Sequence, residues 1–153
     1  MKIFITGATG YIGNNLAKRL AAEGHTIHAL CRSSRKSSLL DHGNIKLFTG
    51  DITDPLSIKN AMQGCEHVYH LAAYARVWAK DPSVYYKFNV EGTRNILDAA
   101  KELGLRDIVV TSTAGVLGPS GDRPVKEDDI RIGNILNEYE ETKTQSEALC
   151  RDY

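Results

Sequence analysis

Tyr139 and Lys143 stand four residues apart in the segment YEETK. On a helix that spacing puts both side chains on one face. A tyrosine hydroxyl, with an ordinary pKa near ~10, keeps its proton at neutral pH. An adjacent ammonium favours the phenolate and brings that proton within reach of exchange. A phenol so placed can give a proton to a carbonyl oxygen or take one from an alcohol. A third hydroxyl can join them. The run Thr111-Ser112-Thr113 follows an apolar stretch that reads as a strand, and Thr113 could hydrogen-bond the same oxygen. An exposed helix pair also satisfies the YxxxK spacing, so the pattern gains its weight from what surrounds it.

The chain begins MKIFITGATGYIGNNLAKRL, with Gly7, Gly10 and Gly13 between a strand and a helix. A helix N-terminus offers unpaired N–H groups and a partial positive charge, which suits a pyrophosphate. Gly7 would allow the tight turn, Gly10 the approach of phosphates to the backbone, and Gly13 the close packing of helix on strand. Thr9, Tyr11 and Ile12 complete this loop and count with it as candidate cofactor contacts. The spacing GxxGxxG departs from the commoner GxGxxG.

The next strand end bears on which dinucleotide is bound. An acidic residue there would bind the ribose hydroxyls of NAD. Here the strand runs into Cys31 and Arg32, Arg35 and Lys36 follow, and no acid falls between Glu23 and Asp41. A guanidinium matches a ribose 2′-phosphate, so NADP is favoured, with NAD as the alternative. A solvated basic loop is the plainer reading of the same residues. The third strand ends TGDITD, where Asp51 could accept from the adenine amino group or simply serve the turn after Gly50. The fourth ends HLAAYA, with Ala72 and Ala73 small enough for a dinucleotide to lie against. Trp78 and Tyr74 read first as core aromatics and second as the lining of a substrate mouth. His67 and His70, three apart on a strand, face opposite ways and make no metal site.

These side chains need a scaffold. Strands at 2–6, 26–30, 45–49, 67–71 and 107–111 alternate with helices at 11–23, from Asp54-Pro55 to about Gly64, at 81–103 and at 137–153. The pairs Asp54-Pro55 and Asp81-Pro82 each read as a capping carboxylate before a proline at the first helical position. In the first helix Ile12, Leu16 and Leu20 fall on one face. Segment 33–41 is polar and ambiguous, and 113–136 reads as a long loop. The alternation implies an α/β, Rossmann-type doubly wound parallel sheet with right-handed crossovers. Such a sheet wants a sixth strand. The chain therefore reads as one dinucleotide-binding domain, 1–153, truncated after the fifth strand and its following helix, with a C-terminal substrate domain missing.

The composition is neutral, with 19 basic and 19 acidic residues among 153, so no general attraction to nucleic acid or an anionic membrane is expected. Three widely spaced cysteines match neither a disulfide framework nor a zinc site. No apolar run approaches the ~20 residues of a membrane span, and the N-terminus lacks the apolar core of a signal peptide. A cytoplasmic protein with free thiols is expected.

Taken in order, TGATGYIG, GDITDP, HLAAYA, FNVEGT, TSTAGVLG and YEETK resemble the extended short-chain dehydrogenase/reductase family over the whole chain. The likeness is greatest to its dihydroflavonol-reductase-like and NAD-dependent nucleotide-sugar epimerase/dehydratase branches. The resemblance implies Thr113, Tyr139 and Lys143 as the catalytic trio, with threonine for the commoner serine. It implies Asp51 and Ile52 at the adenine, Leu71, Ala72, Ala73, Tyr74 and Ala75 along the cofactor, and Asn89 near its ribose and nicotinamide end. The implied activity is hydride transfer between a nicotinamide cofactor and a small-molecule carbonyl or alcohol. Arg32 fits the NADP-using reductases better than the epimerases, which tend to carry an acid there. An epimerase or dehydratase with retained NAD, and a non-catalytic dinucleotide-binding module, are the alternatives. Family members are much longer, so this chain alone is expected to lack the walls that orient a substrate. They also pair through the helices corresponding to 81–103 and 137–153, which implies a homodimer.

Overall fold

Five short segments pair into one parallel sheet. β1 (Lys2–Thr6), β2 (Thr26–Cys31), β3 (Ile45–Thr49), β4 (His67–His70) and β5 (Asp107–Val110) lie in the order β3-β2-β1-β4-β5. The structure, a computed structural model, describes residues 1–33, 39–76 and 78–153. Ile3 of β1 stands opposite Ile27 on one side and His67 on the other. The chain thus steps outward from β1 to β3, then returns to lay β4 on the other side of β1. That reversal opens a crevice at the carboxyl ends of the strands, where ligands of such sheets bind.

Alternation along the strands divides the core into two layers. Phe4, Leu30 and Val68 pack against Ile58, Ala61 and Met62 of α2 (Pro55–Met62) and against Ile96, Ala99 and Ala100 of α4 (Gly92–Glu102). Ile3, Ile5, Ile27 and Ala29 face the other way, onto Ala17 and Ala21 of α1 (Tyr11–Ala22). Burial of each large side chain contributes roughly 1.5–3 kcal/mol. The face of α1 differs from the expected one. Gly13, Ala17 and Ala21 touch the sheet, Leu16 and Leu20 pack at its margin, and Ile12 is 61% exposed. Close seating of helix on sheet selects small residues at the contact and turns Ile12 out.

Caps explain the helix starts. Asp54 accepts from the N–H of Leu56 ahead of Pro55 at the start of α2. Asn137 accepts from the N–H of Glu140 to begin α5 (Glu138–Arg151), whose first turn carries Glu138, Glu140 and Glu141. Most element bounds fall within two residues of those expected. The expected single helix 81–103 is instead α3 (Ser83–Tyr86), a π turn (Lys87–Glu91) and α4. Its wide turn centres on Asn89, whose carbonyl accepts from the hydroxyl of Thr93 at 2.7 Å. The long loop 113–136 contains a 3₁₀ turn, Ala114–Leu117. Arg35 and Lys36 lie outside the described residues. Among the described residues, no helix is long and apolar enough to cross a membrane. Apart from Ala148, the exposed residues of α4 and α5, including Arg94, Asp98, Glu141 and Gln145, are polar or charged.

Candidate functional site

The crevice is a cleft of about 470 Å³ along the carboxyl ends of β1, β2, β3 and β4. Thr6, Gly7, Thr9 and Gly10 form one wall; Leu71, Ala72, Ala73, Tyr74 and Arg76 form another. Arg32, Asp51, Ile52 and Phe88 close the far end. The turn after β1 depends on glycine at two positions, Gly7 and Gly13. Gly7 has φ +72°, and a Cβ there would lie 2.8 Å from the backbone of Leu71 and Ala72. A Cβ on Gly13 would lie 2.3 Å from the carbonyl oxygen of Gly7. Gly10 caps α1 without a side-chain bond, and the first turn carries no acidic residue. The helix N-terminus therefore offers backbone N–H groups and an uncompensated partial charge of about +0.5 to the cleft. Glycine cradle, free helix end and two arginines together fit a dinucleotide.

Several expected contacts line this cleft: Gly7, Thr9, Gly10, Arg32, Asp51, Ile52, Leu71, Ala72, Ala73 and Tyr74. Others are placed elsewhere. Tyr11 and Ile12 are exposed on the first turn of α1, Gly13 packs beneath the turn, and Ala75 is exposed beside the cleft. Asn89 is 1% exposed and lies behind the wall. Its amide accepts from the N–H of Tyr74 at 2.7 Å and donates to the carbonyl of Tyr74 and to Thr142 Oγ1. Asp51 Oδ1 accepts from the backbone and hydroxyl of Thr53, which fixes its carboxylate at the end of β3. Trp78, expected first in the core, is 72% exposed. Tyr74 does pack, edge-on to Tyr85 at 4.9 Å.

Arg76 and Phe88 are among the cleft residues that a reading of the sequence does not reach. Arg76 follows HLAAYA by one position, and the Tyr85 hydroxyl donates to its carbonyl at 2.7 Å, anchoring the loop that presents it. Phe88 sits within FNVEGT. The guanidinium of Arg32 stands 5.9 Å from the centre of its ring.

The residues expected to handle a proton gather where β5 ends. Lys143 is 4% exposed, and its Nζ donates to the carbonyl of Thr111 at 2.8 Å. Burial pushes its pKa down, opposed by Cys150 and Glu147. Tyr139, half-buried, is one turn earlier on α5. Thr113 opens the 3₁₀ turn, its Oγ1 accepting from the N–H of Gly115. Arg131 ties these parts together. It donates to the carbonyls of Gly115 and Asn134 and pairs with Glu140 at 2.9 Å, both side chains largely buried. The N–H of Leu136 first, and Arg131 with it, hold the Glu140 carboxyl below its ordinary value. The start of α5, the turn after Thr113 and the loop before α5 thus form one unit. A tyrosine and a buried lysine on one helix face, beside a threonine at a strand end, can pass a proton to or from an oxygen.

The sequence matches the NAD dependent epimerase/dehydratase family over residues 3–153. The chain belongs to this family. It is 34% identical over 150 residues to a Synechocystis sp. protein provisionally named a dihydroflavonol 4-reductase, covering 95% of this chain and 43% of that one. It is 33% identical over 150 residues to a 2-alkyl-3-oxoalkanoate reductase of Shewanella oneidensis, covering 97% of this chain and 38% of that one. Among solved structures of the family's fold, a short-chain dehydrogenase/reductase superfamily protein of Agrobacterium tumefaciens with bound NAD superposes with TM-score 0.86 at 28% identity. That match covers 99% of this chain and 44% of the other. A UDP-glucuronic acid 4-epimerase of Bacillus cereus in complex with NAD gives TM-score 0.81 at 29% identity, covering 99% of this chain and 52% of that one. The chain spans less than half the length of the curated relatives it matches.

Proposed function

We propose that these residues form the dinucleotide-binding part, residues 1–153, of an NADP-preferring reductase that acts on a small carbonyl substrate. Arg32 carries the reading. It stands in the cleft at the end of β2, where an acid would serve the ribose of NAD, and its guanidinium can take a 2′-phosphate. Gly7, Thr9 and Gly10 would hold the diphosphate, with Arg76 facing it, and Asp51 and Ile52 would hold the adenine. The cofactor, when bound, supplies or accepts the hydride. Tyr139 then gives its proton to the substrate's carbonyl oxygen, or takes it back from the alcohol. Thr113 donates a hydrogen bond to that oxygen. Lys143 stabilises the phenolate that Tyr139 leaves. The substrate pocket belongs to the part of the longer relatives that this chain does not span.

The solved relatives with NAD favour one other reading, an epimerase that retains NAD. The two separate on the full-length protein, purified without added nucleotide. The reductase reading predicts no retained NAD and NADPH oxidation with a panel of ketones that includes 3-oxo acids. Bound NAD that survives purification, with no NADPH oxidation, would favour the epimerase.

A further inference from the structure

His70 is 2% exposed, yet neither of its ring nitrogens is left unpaired. Nδ1 lies 2.6 Å from Thr6 Oγ1, and Nε2 lies 3.1 Å from Thr93 Oγ1. Thr6 Oγ1 also accepts from the N–H of Ala72, and Thr93 Oγ1 also accepts from Ser146 Oγ at 3.1 Å. Thr6 and Ala72 line the cofactor cleft. Ser146 is on α5, one turn beyond Lys143. The line therefore runs from the cleft wall through the sheet to the helix that carries Tyr139 and Lys143.

Hydrogen-bond capacity decides where each proton lies. The carbonyl of Asn89 can only accept, so Thr93 donates its hydroxyl proton there, at 2.7 Å. Both Ser146 and His70 Nε2 must then donate to Thr93 Oγ1. Thr6 Oγ1, already an acceptor from Ala72, donates to His70 Nδ1. The other tautomer would set the lone pair of Nε2 against the lone pairs of Thr93 and strand the hydroxyl proton of Thr6. Unpaired buried groups of this kind are costly. Thr6, Thr93 and Ser146 are each 1% exposed, so water cannot make good the loss.

We propose that His70 is a positioning residue, a neutral imidazole with its proton on Nε2, that locks α5 to the wall of the cofactor cleft. The parallel bond from Asn89 to Thr142 Oγ1 holds the preceding turn of the same helix. Together they set Lys143 and Tyr139 relative to the cleft. The use of this lock in catalysis rests on the reductase reading; the lock itself does not. Lys143, the charged group that bears on His70 from α5, further disfavours a second proton on the ring.

Nitrogen NMR of histidine-labelled protein tests the assignment directly. The expected signature is an unprotonated Nδ1 and a protonated Nε2, unchanged from pH 8 to pH 5. Hydrogen exchange tests the lock. Thr93→Val should speed exchange at the α5 amides from Thr142 to Leu149 by about tenfold, and Thr93→Ser, which keeps the hydroxyl, should restore the native rate. A proton on Nδ1, titration of His70 between pH 8 and pH 5, or native exchange in Thr93→Val would each overturn the proposal. If Thr93→Val does not fold, the NMR signature of the unaltered chain and the Thr93→Ser rate still decide. An NADPH titration alongside reports on the reductase reading separately: binding with the wrong tautomer removes the lock alone, and the right tautomer without binding removes the reading alone.

Discussion

The ammonium of Lys143, a residue only 4% exposed, donates to the carbonyl of Thr111 at 2.8 Å. Helix α5 is thereby joined to the strand end that carries Thr113, with Tyr139 one turn before the lysine. In the full-length protein Tyr139→Phe should lower kcat by about 10²–10⁴-fold, the usual contribution of a positioned acid, with no change in melting temperature. Lys143→Met should lower kcat as severely. It also removes the hydrogen bond to the Thr111 carbonyl, a loss of roughly 1.5–3 kcal/mol for a bond from a charged donor. Steady-state kinetics beside thermal melts separate the two effects.

Acid should weaken the fold through His70. Burial, with Lys143 second, lowers its pKa from 6.5 to about 3. The unfolded chain then binds a proton below pH 6.5 that the folded chain refuses until about pH 3. Stability is complete above pH 6.5 and falls as pH drops, by at most about 1.4 kcal/mol per pH unit from this group. His28, also held down mainly by burial, adds in the same direction. Melting curves from pH 7 to pH 5 should therefore show a shallower slope in His70→Gln than in the unaltered chain. Parallel slopes would mean that His70 takes its proton freely in the folded state.

Gly13→Ala should destabilise the protein although alanine is the better helix former. Its Cβ would meet the Gly7 carbonyl, oxygen at 2.3 Å and carbon at 2.7 Å, and backbone cannot move aside as a side chain can. A cost of about 1–3 kcal/mol is expected from overpacking. Gly121→Ala, with nothing within 4 Å of the added carbon, is the control and should stay within about 0.5 kcal/mol. Urea unfolding of both variants measures the difference.

What the sequence reveals here follows from which rules are local. The glycine turn, the proline-marked start of α2 and the YEETK helix depend on neighbours within a turn, so their places are legible before any contact is known. Strand ends carry the cleft because parallel sheets put ligands there, which makes Arg32, Asp51 and Ala72 legible too. Arg76 and Phe88 are not, because they reach the cleft from a loop and a π turn that Asn89 and Tyr85 hold in place. Ile12 misleads because helical spacing shows an apolar stripe but not how closely the helix sits on the sheet. Trp78 misleads because size alone suggests burial.

Arg131 and Glu140 should prove coupled. Their ion pair at 2.9 Å has side chains only 15% and 17% exposed, and Arg131 also donates to the carbonyls of Gly115 and Asn134. A double-mutant cycle of Arg131→Met and Glu140→Gln, read by urea unfolding, should give a coupling of about 0.5–3 kcal/mol. Arg131→Met should also speed proteolysis within 118–136. Additive effects and unchanged cleavage would mean that the loop is held by other contacts.

The measurement that bears most directly on the whole account is calorimetric titration of this chain with NADPH and with NADH, repeated on Arg32→Ala. The cleft and its arginine predict tighter binding of NADPH, by about tenfold or more for one charged bidentate contact, and loss of that preference in Arg32→Ala. Equal affinities, or preference for NADH in the unaltered chain, would contradict the role given to Arg32 and with it the reductase reading.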